Sequence, residues 1–444
     1  MKENILTLMQ EKKFSDARSE IMELNTVDIA EFIGELERDH AIILFRILPK
    51  DTAVEVFAYL SNEHQVEIIN GITDREIKHI IEELYFDDMI DMLEEMPASV
   101  VKKILRHTKE EERILINQFL NYPENSAGSL MTIEYVGLKK EMTVKNALEY
   151  IKRIGIDKET VYTCYVTDNN QILEGRVSLR KLVISDGLKT IDEIMDRDIL
   201  YVHTHEDQEE IAYLFKKYDL MIIPVVDKEE RLTGIITIDD IVDVIEQEDT
   251  EDFQRMAAII PSESAYLSTG VMTLAKNRIT WLLILMISAT FSGTIIRHFE
   301  NVLSSVVLLA AFIPMLMNTG GNAGAQSSTL VIRGLALGKI ELEDGLRVLW
   351  KELKVSILVA LLLSTFHFIS IYFLQKVDML IALTVCGTLF VTIVFAKLVG
   401  GILPIMAQRL KLDPAIMASP LITTIVDAAA LMVYFSLASW MIGI

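Results

Sequence analysis

The residue best placed to do chemistry in this chain is a carboxylate inside an apolar segment. Asp427 lies in the middle of Ser419–Tyr434, and it is the acid that we place well inside a membrane span. A charged side chain in hydrocarbon is costly, so such residues usually face a bundle interior or a water-filled path and mark an ion route. Asp427 therefore predicts a pathway for a cation.

An earlier apolar stretch carries amides and glycines. Residues 314–328 contain Pro314, three glycines and the amide side chains of Asn322 and Gln326. Proline and glycine predict a helix that is broken at membrane depth, which is tolerated where the backbone is buried in protein or lines a wet cavity. Small residues also favour close helix packing. We favour packing for the glycines and a pore-lining role for Asn322 and Gln326, whose amide oxygens suit a hydrated ion.

Charge is divided unevenly along the chain. Residues 276–444 carry 12 Lys or Arg and 8 Asp or Glu, a net charge of +4, whereas the whole chain carries −22. Residues 1–275 therefore carry −26, which should repel nucleic acid and attract divalent cations. The alternative is an acidic surface that serves solubility alone.

The first part of the chain repeats every 24 residues. Residues 25–120 divide into four units that begin at Asn25, Pro49, Thr73 and Pro97. Asn, Pro and Thr suit helix N-termini, and units that cannot bury their apolar faces alone stack as an α-solenoid. Candidate acids for a binding face, or alternatively for a solvated helix surface, are Glu55, Asp87, Asp88 and Asp91.

Two similar α/β units follow the solenoid, after the helix breakers Pro123 and Gly128. β-branched runs bounded by turn residues predict their strands, and periodic runs between them predict helices. The second unit contains Gly-x-x-Thr-x-x-Asp, at Gly234, Thr237 and Asp240. The first has Gly175 and Ser178, with Lys181 at the position of the acid.

Acids crowd the end of the second unit. Asp239, Asp243 and Glu246 share one helical face, where like charges destabilise a helix unless a cation neutralises them. Oxygen ligands suit Mg²⁺ or Ca²⁺, and no His/Cys cluster in the sequence calls for zinc. Asp240 could cap the helix that it opens, and capping and ion binding can coexist.

The last part of the chain predicts five membrane spans. They are Ile279–Ile296, Val302–Met317, Val355–Leu374, Met379–Met406 and Ala415–Ile444, the second continuing toward Arg333. Basic residues cluster before the first span and in alternate loops. The first residues also lack the apolar core of a signal peptide. The positive-inside rule then predicts a cytoplasmic N-terminus and an extracytoplasmic C-terminus in the cell membrane.

The paired α/β units resemble a tandem CBS module. In CBS pairs that bind nucleotides the acid of the motif commonly holds the ribose. Asp240 matches that acid, whereas the first unit departs at Lys181. The resemblance therefore implies an adenosine nucleotide at the pair, and Lys181 departs from the family pattern at the first site.

Together with the Pro314-to-Gln326 pattern and the Asp427 span, these features resemble the MgtE family of magnesium channels and transporters. The resemblance covers nearly the whole chain. It implies a cytosolic helical superhelix over 1–125, CBS units over 126–193 and 194–248, a connecting helix region over 249–275 and a five-helix membrane domain over 276–444. It also implies a homodimer in membrane lipid, with the ion path between subunits and closure by the connecting helices at high cytosolic Mg²⁺.

The resemblance assigns roles to individual acids. Asp427 matches the pore acid that holds hydrated Mg²⁺, and Asp413 matches an acid near the gate. The matching sensor residues are Glu55, Asp87 and Asp91 in the solenoid, Asp219, Asp240 and Asp243 in the CBS pair, and Asp207, Glu209, Glu248 and Glu251 near the connecting helix. Asp88 competes with Asp87 for its role. Lys397 departs from a usually neutral polar position, so we expect it to snorkel or pair.

The resulting hypothesis is an Mg²⁺ channel that cytosolic Mg²⁺ closes, with Mg²⁺ as both substrate and regulator. Three alternatives stay open: transport of another divalent cation such as Co²⁺ or Ni²⁺, a CBS-regulated anion channel, and a membrane enzyme. Asp427 counts against an anion pore. An enzyme would need paired catalytic groups at one depth, for which Asp427 and His367 are the candidates, on different spans.

Overall fold

The computed structural model describes residues 1–106, 108–262, 266–267, 269–417 and 419–443, with the backbone alone at positions 87, 95, 111, 112, 157, 419 and 442. The chain divides into two compact units, Met1–Val244 and Ile245–Ile444.

The first unit begins with short helices whose starts recur every 24 residues, at 26, 50, 74 and 98. Asn25 caps α3 by accepting a hydrogen bond from Val27 N, and Thr73 and Glu76 form a capping box on α7. Ile33 and Phe57, one repeat apart, are fully buried. The helices are α1 (Lys2–Gln10), α2 (Phe14–Ile21), α3 (Thr26–Gly34), α4 (Arg38–Ile47), α5 (Lys50–Ala58), α6 (Asn62–Gly71), α7 (Asp74–Glu83), α8 (Phe86–Glu95), α9 (Ala98–Leu105) and α10 (Glu110–Phe119).

The rest of the first unit is the α/β pair. Each half holds a three-stranded sheet in which the first strand pairs parallel with the second, and the second pairs antiparallel with the third. The elements are α11 (Ala127–Leu130), β1 (Val136–Leu138), α12 (Val144–Ile154), β2 (Thr163–Thr167), β3 (Leu173–Ser178), α13 (Leu179–Ile184), α14 (Ile191–Ile194), β4 (Val202–His203), α15 (Gln208–Tyr218), β5 (Ile222–Val226) and β6 (Leu232–Thr237). The predicted combination of a helical domain with an α/β pair is confirmed.

The glycine of the repeated motif has a packing role. A Cβ at Gly234 would lie 2.6 Å from the carbonyl oxygen of Thr132, which bridges to the neighbouring Ile235. A Cβ at Gly175 would likewise meet the Met195 sulfur at 2.6 Å. Both third strands therefore need glycine so that a second backbone segment can approach.

The second unit is built from long apolar helices. Helix α16 is continuous through residue 248, where a domain boundary was predicted. Five described helices are long and apolar enough to cross a membrane, as predicted. The elements are α16 (Ile238–Met256), α17 (Val271–His298), α18 (Glu300–Ser305), α19 (Ile313–Ala336), α20 (Gly345–Ile369), α21 (Met379–Arg409) and α22 (Ser419–Ile442), with a 3₁₀ segment at Val307–Phe312 and a π-helical turn at Ser370–Leu374.

The prediction of a helix broken at the glycines is wrong. α19 is continuous through all three glycines, and the irregular backbone lies before it, in Val307–Phe312. Pro314 sits in the first turn of α19, where its missing N–H breaks no helical hydrogen bond. The buried Tyr434 hydroxyl donates to the carbonyl oxygen of Leu309 at 2.9 Å and so satisfies part of the irregular segment.

The helix that carries the third apolar stretch extends beyond that stretch. Helical structure begins at Leu342, before the predicted apolar stretch Val355–Leu374, so Arg347, Lys351 and Lys354 lie on the same helical segment. Glu352 is consequently an acid on this helix, one turn before the apolar run.

Candidate ion pathway and acidic clusters

The predicted pore amides lie on one exposed stripe of α19. Asn318, Asn322 and Gln326 follow one another at intervals of four residues, which places them on one helix face, and all three are exposed. Asn322 Nδ2 donates to Asn318 Oδ1 at 3.2 Å. Asn318 extends the predicted pair by one turn, and its helical spacing from Asn322 is the signal that could have revealed it.

The glycines of α19 lie in close helix contacts. A Cβ at Gly320 would lie 2.6 Å from the Thr392 methyl group, and one at Gly324 would lie 2.6 Å from a methyl group of Ile422. These contacts involve α21 and α22, so the packing role predicted for the glycines is confirmed. Close packing here leaves the amide stripe as the polar surface of α19 that is available to an ion.

Asp427 lies about two turns into α22. It follows Val426, which is fully buried and contacts the Gly320 position on α19. The carboxylate is half-buried, and within the described ranges no hydrogen bond or ion pair engages it. A partly desolvated carboxylate without a protein counter-ion is a strong attractor for a cation.

Asp413, the predicted gate acid, is held by the connecting helix. Arg255 of α16 pairs with Asp413 and also with Glu251. The second oxygen of Asp413 accepts a hydrogen bond from Ala415 N at 2.7 Å. The predicted gate acid and the predicted metal ligand Glu251 thus meet one guanidinium group, an arrangement that their sequence separation of more than 150 residues concealed.

The same region contains a second ion pair and an acid whose pKa is raised. Arg333 Nη1 lies 2.7 Å from Asp249 Oδ1, and Met256 packs beside Ile332. Burial and the neighbouring charges of Asp413, Glu248 and Asp249 raise the pKa of Asp252 to about 6, against the effect of Arg255. Asp252 is therefore an acid whose ionisation a nearby cation would favour.

Acids also approach one another within the first unit, around the start of α16. The Thr237 hydroxyl lies within hydrogen-bond distance of Asp239 and, at 2.9 Å, of Asp240 Oδ2. Burial and the charges of Asp239 and Asp88 raise the pKa of Asp240 to about 6, although the hydrogen bonds from Thr237 oppose the shift. Burial and Asp239 also raise the pKa of Asp88.

Sequence reasoning missed Glu159 in this group. Burial and the charges of Asp239 and Asp240 raise its pKa to about 7. Its backbone N–H donates to the carbonyl oxygen of Glu134 at 2.9 Å, which fixes the segment before β2. Glu159 lies outside every motif, and only the folded chain brings it toward acids 80 residues away.

The remaining predicted ligands are dispersed. Asp207 caps α15 by accepting a hydrogen bond from Glu209 N, Asp219 ends that helix in a left-handed conformation, and Glu55 accepts a hydrogen bond from Thr26. Asp91, Glu209 and Asp243 are exposed, Glu248 is half-buried, and the Asp87 side chain is outside the described part. The described residues contain no group of three or more His, Cys, Asp or Glu arranged to hold a metal. The metal assignments therefore stay predictions.

Lys397 is buried between helices of the membrane unit instead of snorkelling. Only 5% of it is exposed, and its Nζ lies 3.4 Å from Ser327 Oγ. Ser327 in turn donates to Glu352 Oε2 at 2.6 Å. The expected pairing is thus made through a hydroxyl that links α21, α19 and α20.

We expect Lys397→Met to destabilise the protein by about 2 kcal/mol, because it removes a charged hydrogen-bond donor and leaves Glu352 without compensation. Lys397→Gln, which keeps a donor, should lose less. Denaturation of the purified protein in detergent measures both. Adding Glu352→Gln to Lys397→Met should recover part of the loss, and a Met variant as stable as the parent would contradict the role.

The fold and the site define a membrane protein that also carries a helical domain and an α/β pair, and the comparisons with known proteins agree. Residues 24–125 match the MgtE intracellular N domain, 191–247 match a CBS domain, and 313–437 match the family described as a divalent cation transporter, MgtE.

Similar proteins cover nearly the whole chain. The magnesium transporter MgtE of Thermus thermophilus is 37% identical over 97% of this chain and 96% of its own length. That of Bacillus subtilis is 32% identical over 98% and 96%. This chain is also similar to the crystal structure of the cytosolic domain of the Mg²⁺ channel MgtE in complex with ATP. The two share 35% sequence identity with a TM-score of 0.53, and the match covers 55% of this chain and 100% of that domain.

The chain belongs to the MgtE family of magnesium transporters. The resemblance inferred from the sequence is confirmed, and the protein is embedded in a membrane through its apolar helices. The family is one of transporters and not of enzymes.

Proposed function

We propose that this protein is a channel for Mg²⁺ uptake across the cytoplasmic membrane. The observation that carries the proposal is Asp427, a half-buried carboxylate in an apolar helix to which no described residue supplies a counter-ion. Mg²⁺ loses its waters reluctantly. Asp427 therefore acts as an outer-sphere anchor for a largely hydrated ion, which the membrane potential drives inward.

The pathway forms between two copies of the chain. The amide stripe of Asn318, Asn322 and Gln326 is exposed in a single chain, although it lies on an otherwise well-packed helix. Pairing two such stripes would give a polar passage that one subunit alone leaves open on one side. Two copies would also bring two Asp427 carboxylates to the same pathway, with Asp413 at its cytoplasmic entrance.

Cytosolic Mg²⁺ closes the channel. Burial and the charges of neighbouring acids, Asp239 among them, raise the pKa of Asp88, Asp240 and Glu159, so the repulsion among these acids opposes a compact first unit until a cation binds. The further acids Glu55, Asp87, Asp91, Asp207, Glu209, Asp219, Asp243, Glu248 and Glu251 add to this sensor. Several weak sites together can supply the differential affinity that a gating equilibrium requires. The signal passes along α16, whose end pairs with Asp413 through Arg255.

Uptake into proteoliposomes tests the transported ion. With an imposed inside-negative potential, we expect saturable Mg²⁺ entry that is at least about tenfold faster than Co²⁺ or Ni²⁺ entry at equal concentration. Protein-free liposomes provide the background. Faster Co²⁺ or Ni²⁺ entry would identify the alternative divalent transporter, and chloride entry without Mg²⁺ entry would identify an anion channel.

The CBS pair is the candidate site for an adenosine nucleotide. The similar cytosolic domain of the Mg²⁺ channel MgtE was crystallised with ATP. In this chain Ser178 caps α13 by accepting a hydrogen bond from Lys181 N. Lys181 therefore lies in the first turn of α13, where it is exposed, and it occupies the position that Asp240 occupies in the second unit. A lysine there favours contact with phosphate over contact with ribose hydroxyls.

A further inference from the structure

The solenoid contains a cavity of about 670 Å³ that no part of the transport mechanism uses. It is formed by the end of α4, the start of α5 and one side of α7. Its volume lies in the range of small-molecule sites. The lining residues are Phe45, Arg46, Leu48, Lys50, Ala53, Thr73, Arg75, Glu76, Lys78, His79, Ile80 and Glu82.

The charge of this cavity is opposite to that of its domain. Residues 1–125 contain 14 Lys or Arg and 27 Asp or Glu. The cavity nevertheless has four Lys or Arg on its walls and two acids. Such a reversal of sign focuses a positive potential in a concave site, which attracts anions.

Both acids of the cavity are already engaged. Glu76 accepts hydrogen bonds from the backbone and hydroxyl of Thr73, each at 2.7 Å, and pairs with Arg46 at 3.3 Å. These contacts hold its pKa below the ordinary value, although partial burial opposes the shift. Glu82 pairs with Lys78 at 3.6 Å. Arg46 and Lys78 are therefore neutralised within the cavity walls.

Two cationic side chains and one imidazole among the cavity residues are not neutralised or hydrogen-bonded in this way. Lys50 and Arg75 have no ion pair or hydrogen bond with the described residues, and both are exposed at the cavity. The Nε2 atom of His79 is buried and lacks a hydrogen-bond partner there. Phe45 and Leu48 supply apolar surface beside these groups.

We propose that the cavity binds a small organic phosphate. The Arg75 guanidinium and the Lys50 ammonium match a dianionic phosphoryl group, since arginine contacts two phosphate oxygens and lysine supplies a point charge. The apolar wall of the cavity receives the organic part of the ligand. A metal cation is excluded by the sign of the charge.

Titration calorimetry with phenyl phosphate tests this assignment. The full-length protein in detergent, in Mg²⁺-free buffer of low ionic strength, should bind phenyl phosphate saturably and more tightly than inorganic phosphate. The double variant Lys50→Gln/Arg75→Gln should bind at least about tenfold more weakly, a loss of about 1.4 kcal/mol. The matched control Arg38→Gln/Lys102→Gln removes two exposed solenoid cations outside the cavity and should bind like the parent.

Each contrary result overturns the proposal. The three contrary results are an absence of saturable heat with the parent protein, an equal loss of affinity in both double variants, and an unchanged affinity in the cavity variant. The second result would indicate attraction by overall charge, and the third would place the phosphate elsewhere, as at the CBS pair. Melting curves of both double variants should match the parent, so a loss of binding in the cavity variant cannot be ascribed to unfolding.

Discussion

Asp427→Asn is expected to reduce Mg²⁺ uptake about 100-fold or more while leaving the protein folded. A divalent ion about 5 Å from a carboxylate gains roughly 7 kcal/mol at an effective dielectric constant of 20. If somewhat less than half of that energy is realised at the rate-limiting position, its loss corresponds to about 100-fold. Asparagine keeps the size and a polar oxygen, so the change isolates the charge. Mg²⁺ entry into proteoliposomes, followed with an internal Mg²⁺ dye, measures the effect.

Asp378→Asn is the matched control for this experiment. Asp378 also belongs to the membrane unit, but it caps α21 by accepting a hydrogen bond from Leu380 N at 2.9 Å. Asparagine is an equally good cap, so this variant should keep the parent's uptake rate. Normal uptake by Asp427→Asn would remove the pore assignment and with it the main support for cation conduction through this part of the fold.

Local sequence patterns were sufficient to predict the main helices and strands. The 24-residue period of residues 25–120 reproduces the helix starts of the solenoid because each unit begins with a residue that caps or tolerates a helix N-terminus. Asp427 and the two amides predicted to line a pore could be selected without coordinates, since polar side chains in apolar segments are costly and therefore rare. Gly234 and Asp240 were recognisable through the resemblance of their motif to that of CBS units.

Long-range contacts were not predictable in the same way. Glu159 lies outside any motif, and its raised pKa depends on burial and on acids that the fold brings near. The pairing of Arg255 with Asp413 joins residues 158 positions apart. Hydropathy also did not reveal that the third apolar helix extends back through Glu352, because a helix can continue through charged residues outside its apolar stretch.

Neutralising two sensor acids is the second change with a large expected effect. Asp240→Asn combined with Glu159→Gln should raise the internal Mg²⁺ concentration that half-closes the channel by about tenfold or more. Both carboxylates have raised pKa values because burial and neighbouring acids disfavour their charge, and a bound cation would relieve that penalty. Patch-clamp recording with stepwise internal Mg²⁺ measures the shift. Asp51→Asn, at an exposed acid of the solenoid, is the control and should close like the parent.

The same pKa values give closure a defined pH dependence. A carboxylate whose pKa is raised takes up a proton as the pH falls toward that value, so protons compete with Mg²⁺ for Glu159 near pH 7 and for Asp240 near pH 6. The parent channel should therefore need more internal Mg²⁺ to close at pH 6 than at pH 8. The double variant, which lacks both titrating groups, should show a much smaller change over that interval. If the parent and the variant shifted equally with pH, or if the variant closed at the parent's Mg²⁺ concentration, these two acids would have no part in sensing, while conduction through Asp427 would be unaffected.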